Sequence, residues 1–217
     1  MTTLNTGAGL CHPTHQLSIR PVQAVLELGA LADVIHAALN AAHHANRQGD
    51  PEDRIAVALP SMDVRRGVAR PGREVVVFGS AAALYAYLKL DGVQRLVRRA
   101  MVKDLETSEA FNRPGEGGTA YVRDRKAADH SPGTIRRARA RAERRGVQMP
   151  ERIDTRRPEP DVLALHYGPA VVHVREVTAT VGDRPLLVGT YGFSAPGAPA
   201  VLPILPDRSV RWGDDAA

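Results

Sequence analysis

Residues 72–88 read GREVVVFGSAAALYAYL, and the fold turns on this stretch. Val75, Val76 and Val77 are too continuous to face water, so REVVVF (73–78) is expected as a strand covered on both faces. Ser80 follows at once and is expected to cap a helix that carries Leu84, Leu88, Leu96 and Val97. Toward the N-terminus, RIAVAL (54–59) reads as another strand, stopped by Pro60. From Val22 to Arg47 the apolar residues Val25, Leu28, Ala32, Ile35, Leu39 and Ala42 recur at spacings of three and four. That period predicts one long amphipathic helix, closed by Gly49 and Pro51. HQLSIR (15–20) alternates as a strand does and ends at Pro21, and Met101–Lys103 is expected to close the unit as a short strand. The order strand, helix, strand, strand, helix, strand is the split βαβ, or ferredoxin-like, arrangement.

The rest of the chain is organised around this unit. Residues 1–14 read as a flexible lead, 15–103 as the ferredoxin-like domain and 104–131, which contains NRPGEGG, as a linker or mobile loop. Residues 132–217 form a C-terminal β-rich part, entered through a helix that Ser131-Pro132 opens and Gly146 closes. Its strands are VLALHY (162–167), AVVHVREVTATV (170–181) and PLLVGTYGF (185–193), with a turn at Gly182-Asp183. The tail SAPGAPAVLPILP is expected to cross a sheet edge in extended form. The fold class is therefore α+β.

Charge is concentrated. The 217 residues carry a net charge of +5, but the window 121–157 alone holds 12 basic and 5 acidic residues, a net of +7. The remaining 17 bases and 19 acids net to −2. Such a patch is an electrostatic footprint for a polyanion. Eleven of the twelve bases are arginine, the side chain suited to bidentate phosphate contact. On the expected helix, Arg137, Arg141 and Arg144 fall on one stripe, flanked by Arg136 and Arg145. Beyond Ile135 and the alanines that helix has almost no apolar face, so it is expected to be ordered by its ligand. A solvated helix face is the plainer alternative.

Several classes of function are disfavoured. No run of about 18 apolar residues exists, so no transmembrane helix and no membrane partner are expected. Met1–Thr14 lacks a signal pattern, and the single Cys11 excludes an internal disulfide and any two-thiolate zinc site, which fits a reducing, cytoplasmic setting. Phosphate-loop, dinucleotide, zincin and serine-hydrolase signatures are absent. Cys11, His12 and His15 are close in sequence but fall in the lead, and no metal site or cofactor is assigned. Aromatics make up only 4%, and RIAVAL and REVVVF supply no pair of stacking aromatics, which argues against a base-stacking sheet and for the phosphates of a structured duplex.

Histidines are the candidate chemical groups. His36 lies at the margin of the apolar stripe of the first helix, with Asn40, His43 and Arg47 following on the same face. Near a basic groove a neutral histidine takes a proton close to pH 7; a half-buried histidine satisfied by a carbonyl is the structural alternative. His166 and His173 lie on the C-terminal strands, with Tyr167 and Tyr191 nearby in sequence.

Taken in order, LSIRP (17–21), LADVIHAALN (31–40), DRIAVALPSMD (53–63) and GREVVVFGSAAALYAYL (72–88) resemble one CRISPR family. The chain looks like the repeat-RNA-processing endoribonucleases of type I-F systems and their type IV relatives. The likeness extends more loosely through the arginine helix and returns at TYGFS (190–194). It implies metal-independent cleavage of precursor CRISPR RNA at the 3′ base of the repeat stem-loop. In that chemistry a ribose 2′-OH attacks its own phosphate and leaves a 2′,3′-cyclic phosphate. It also implies a protein that stays on the product as a subunit of an effector complex. By the same likeness His36 takes the place of the family's catalytic histidine and Tyr191 that of its tyrosine. Arg136, Arg137, Arg139, Arg141, Arg144 and Arg145 lie on the stem-binding helix, and Arg123 and Arg125 in the segment before it that reads bases at the foot of the stem. The family's catalytic serine has no counterpart in LALHYGPAVV (163–172), where His166 falls nearest its position. A hairpin-binding subunit that does not cleave is therefore the alternative reading.

Overall fold

A computed structural model describes residues 7–65, 68–103, 105–111, 113–124, 132–148, 161–167, 170–182, 184–194 and 197–203. The described chain is mixed α+β. In order it runs β1 (Ala8–Cys11), β2 (His15–Ile19), α1 (Gln23–Glu27), α2 (Leu31–Gln48), β3 (Ala56–Ala58), β4 (Asp63–Arg65), β5 (Val68–Arg70) and β6 (Val75–Gly79). Next come α3 (Ala81–Leu88), α4 (Asp91–Arg98), β7 (Thr107–Glu109), β8 (Gly117–Arg123) and α5 (Pro132–Arg144). The chain continues through β9 (Val162–Tyr167), β10 (Ala170–Thr180), β11 (Leu186–Gly189) and β12 (Val201–Leu202).

The first sheet has the order β3-β6-β2-β7. Each neighbouring pair is antiparallel, with Leu17 opposite Val77 and Val57 opposite the same Val77. β6 is buried at all five residues, as its unbroken apolar run requires. Against this sheet lie α2, which buries Val34, Ile35, Ala38, Leu39, Ala41 and Ala42, and α3. Ser80 caps α3 by accepting a hydrogen bond from the Ala83 N–H at 3.0 Å. Tyr87 on α3 is fully buried and donates its hydroxyl to the Ala38 carbonyl of α2, 3.1 Å away, locking the two helices together.

The second sheet has the order β12-β8-β10-β9, again antiparallel throughout. The larger of two core clusters spans both sheets, joining Val77 and Phe78 of the first to Tyr121, Leu163 and Val174 of the second and to Val188. One backbone bond stitches the halves directly, from the Val57 N–H to the Gly192 carbonyl at 2.9 Å. Gly192 has φ +80, and a Cβ there would lie 2.6 Å from Val57 Cγ2. Only glycine combines that left-handed backbone with so close an approach, so this glycine sets where the turn carrying Tyr191 meets β3.

Several expectations are corrected. The helix predicted over 22–47 is broken into α1 and α2 at Gly29, which has φ +71. Leu28, counted on its apolar stripe, is 83% exposed. The helix after Ser80 is likewise two, because Leu90 adopts an extended conformation between Lys89 and Asp91; Leu96 is buried and Val97 exposed. Residues 101–103 form only an isolated bridge between Val102 and Pro21. The fourth strand of the first sheet is instead β7, which lies within the stretch 104–131 expected to be a linker, as does β8.

The lead expected over 1–14 contains β1, which pairs with β11 at the far end of the chain, so β11 does not continue a hairpin from β10. Cys11 is buried there, its thiol aimed at the Phe78 carbonyl and its pKa pushed up to about 12 by burial. The hairpin β4–β5 has no counterpart in the sequence reading. Of the tail expected to cross a sheet edge, Val201 and Leu202 form β12 at the edge of the second sheet, and residues 195–196 and 204–206 lie outside the described residues. Arg125, Ser131 and Asp183 lie outside the described residues.

Candidate functional site

The helix α2 carries the first candidate groups. Its inner face is buried in the core, and His36 follows Ile35 at the margin of that face, half-exposed. β9 brings His166 to it: the two imidazole rings lie 5.8 Å apart between centroids at an interplanar angle of 65°. His166 sits on the exposed side of β9, since Leu163 and Leu165 point the other way into the core.

Two helical turns further on, His43 is stacked on Tyr191 with ring centroids 4.2 Å apart and planes 8° from parallel. The seven residues between His36 and His43 correspond to about 10 Å along the helix axis. Tyr191 therefore meets His43 rather than His36. The Thr190 carbonyl lies 3.1 Å from His43 Nδ1. A carbonyl only accepts, so Nδ1 carries the proton and Nε2 is the basic nitrogen of the neutral ring. Arg123, at the end of β8, places its guanidinium 5.1 Å from the Tyr191 ring centre. The structure thus gathers four of the predicted site residues, His36, His166, Tyr191 and Arg123, with a fifth group, His43, into one strip along α2.

His173 is a further member. It stands opposite Ala164 while His166 stands opposite Val171, so the two histidines are diagonal neighbours on one face of the β9–β10 pair. His173 is 8% exposed, and its Nδ1 has no hydrogen-bond partner among the described residues. Burial lowers its pKa below the ordinary 6.5; the Asp124 carboxylate opposes that shift and His166 adds to it. Asp124 is itself held by Arg175 at 2.8 Å and donates its N–H to the His173 carbonyl.

A histidine that takes up its proton less readily when folded destabilises the native state as pH falls below about 6.5, because the unfolded chain then binds the extra proton. The His173→Gln variant is expected to lose less stability than the parent between pH 7.5 and 5.5, read as the change in Tm over that range. An equal fall in both would remove His173 as a source of the dependence.

Ser194, in the turn after Tyr191, supplies no free hydroxyl. It is 2% exposed and donates to the Tyr121 carbonyl at 3.1 Å, while its backbone knits β8 to β11. The helix α5 has the opposite character. Arg136, Arg137, Arg139, Arg141, Arg144 and Arg145 are all exposed, while Gly133, Ile135, Ala138 and Ala142 are partly covered. Among the described residues no group of three or more His, Cys, Asp or Glu is placed to hold a metal ion. Among the described residues no helix is long and apolar enough to cross a membrane. No protein-family model matches the chain, and no curated protein matches it.

Proposed function

We propose that this protein is an endoribonuclease that cleaves precursor CRISPR RNA at the 3′ base of a repeat stem-loop and remains on the product within an effector complex. The observation that carries the proposal is the pairing of His36 with His166, 5.8 Å apart at the surface. Cleavage by internal transesterification needs one base and one acid on a single phosphate and no other reagent. One imidazole takes the 2′-OH proton as the 2′-oxygen bonds to phosphorus. The other, entering as imidazolium, gives its proton to the departing 5′-oxygen as the P–O5′ bond breaks. The products are a 2′,3′-cyclic phosphate and a 5′-OH. His166 then does work for which the second sheet, among the described residues, offers no accessible serine, since Ser194 is committed to Tyr121.

Arg123 and the His43–Tyr191 stack line the approach to this pair, and α5 supplies exposed arginines for the stem. Within this reading the N-terminal unit is ferredoxin-like. The order β3-β6-β2-β7, with helices between the first and second and between the third and fourth of these strands in chain order, supports that assignment.

The test is cleavage of a labelled repeat hairpin in EDTA. Cutting at the hairpin base to a cyclic phosphate is the expected result. Tight binding with no cutting under any condition would replace the enzyme by the alternative, a hairpin-holding subunit. Equal affinity for random duplex RNA or DNA would remove the CRISPR assignment.

A further inference from the structure

Beyond the His43–Tyr191 stack a cleft of about 540 Å³ opens between the end of α2, the turn at Gly49–Pro51 and the turn at Thr190–Tyr191. His43, Arg47 and Arg54 line it, together with Asn46, and none of its lining residues is acidic. Arg54 is unusual in this setting. It is 6% exposed, its Nη1 donates to the carbonyls of Gly7 (2.7 Å) and Val188 (3.2 Å), and its Nε has no hydrogen-bond partner among the described residues. Burial makes its charged form harder to keep, and among the described residues no carboxylate pairs with it.

A buried cation without a counter-charge is costly unless an anion comes to it. Neither nearby aspartate lines the cleft: Asp50 accepts the Glu52 N–H, and Asp53 accepts the Ser80 hydroxyl through Oδ2 while its buried Oδ1 has no hydrogen-bond partner among the described residues. The last carbonyls of α2 oppose an anion here, but as partial charges against two guanidiniums. Because His43 and Tyr191 border both this cleft and the strip that contains His36, a strand leaving the one enters the other.

We propose that this cleft is a phosphate subsite for the single strand flanking the RNA hairpin. Arg47 makes the exposed contact, and Arg54 supplies the buried charge that sets the sign of the site. The proposal rests on the RNA-processing reading above, and the experiment separates the two. Three RNAs are compared, each with a 2′-deoxy residue at the scissile position: the bare hairpin, the hairpin with a short 5′ extension, and the hairpin with a short 3′ extension. Arg54 also anchors Gly7 and Val188, so the variant used is Arg47→Ala, whose side chain is exposed.

One extension is expected to tighten binding to the parent by about tenfold. Arg47→Ala is expected to lose most of that gain, to flatten its salt dependence by roughly one contact, about 0.7 in slope, and to keep the bare-hairpin Kd within twofold. A gain of equal size in parent and variant, or no gain from either extension, would overturn the subsite while leaving hairpin binding intact. Failure of the parent to bind the bare hairpin would overturn both readings. Inorganic pyrophosphate raising the Tm of the parent but not of Arg47→Ala, with no gain from either extension, would assign the cleft to a free anion and overturn the strand assignment.

Discussion

His36→Ala is expected to cut the repeat hairpin at least about 10³-fold more slowly than the parent and to bind it with a Kd within about threefold. A positioned acid or base contributes 10²–10⁴-fold to such a step. The upper part of that range applies because each imidazole of the His36–His166 pair is assigned its own proton transfer, so losing either leaves one transfer without its group. Binding is spared because the substitution removes no arginine, and because Ala is the best helix former and keeps α2 intact. His36 is half-exposed, so truncation leaves no core cavity. His166→Ala is expected to lose activity to a comparable degree. The double variant is expected to be little slower than either single one, as for groups that act as a unit. Cleavage by His36→Ala at the parental rate would remove His36 from the mechanism. Full loss with His36→Ala beside parental activity with His166→Ala would leave the serine's role to a group other than His166.

Replacing Arg137, Arg141 and Arg144 together by Ala is expected to weaken stem-loop binding about 10²–10³-fold at physiological salt. The three lie on one stripe of α5 and are exposed. Arg141 and Arg144 each donate Nε toward the carbonyl four residues back, at 3.5 and 3.2 Å, which keeps their stems along the helix. Three lost phosphate contacts lower the slope of log K against log salt by roughly 2–3. That change in slope distinguishes lost charge from lost folding. Alanine raises helix propensity at every site, so circular dichroism of the variant is expected to show no loss of helix. Affinity and slope unchanged from the parent would take α5 out of the interface.

Much of the fold was legible because it is written in local periods. β6 is an unbroken run of apolar residues, α3 begins at a capping serine, and β10 alternates apolar and polar residues over Val172–Arg175. What escaped has a physical reason in each case. β7 reads TSE and is exposed at all three residues; an edge strand needs only backbone groups to pair and leaves no apolar signature. β8 opens Gly117-Gly118 and so reads as loop, yet Gly118 is needed there because a Cβ would meet Val201 at 2.7 Å and Val181 at 2.8 Å. The breaks at Gly29 and Leu90 interrupt apolar spacings that run on undisturbed through them. Periodicity counts apolar residues without recording a rotation of the helix between them.

The candidate site divides along the same line. Placing His36 at the margin of α2 needs only a helical period, and the basic charge of residues 121–157 needs only counting. His43 had a signal in its spacing from His36, but nothing local ties it to Tyr191, 148 positions away. His166 and His173 share a face only once the β9–β10 register is known, since a one-residue slip would turn one of them over.

Residue type and rules that reach two to four positions are enough for the α+β class, the arginine-rich helix and the set of histidines available for chemistry. They say nothing of the meeting of His36 with His166, the stacking of Tyr191 on His43 or the burial of Arg54 beside a cleft. Each is a contact between distant segments, set by where the shared core lets α2, β9 and the Gly192 turn come to rest.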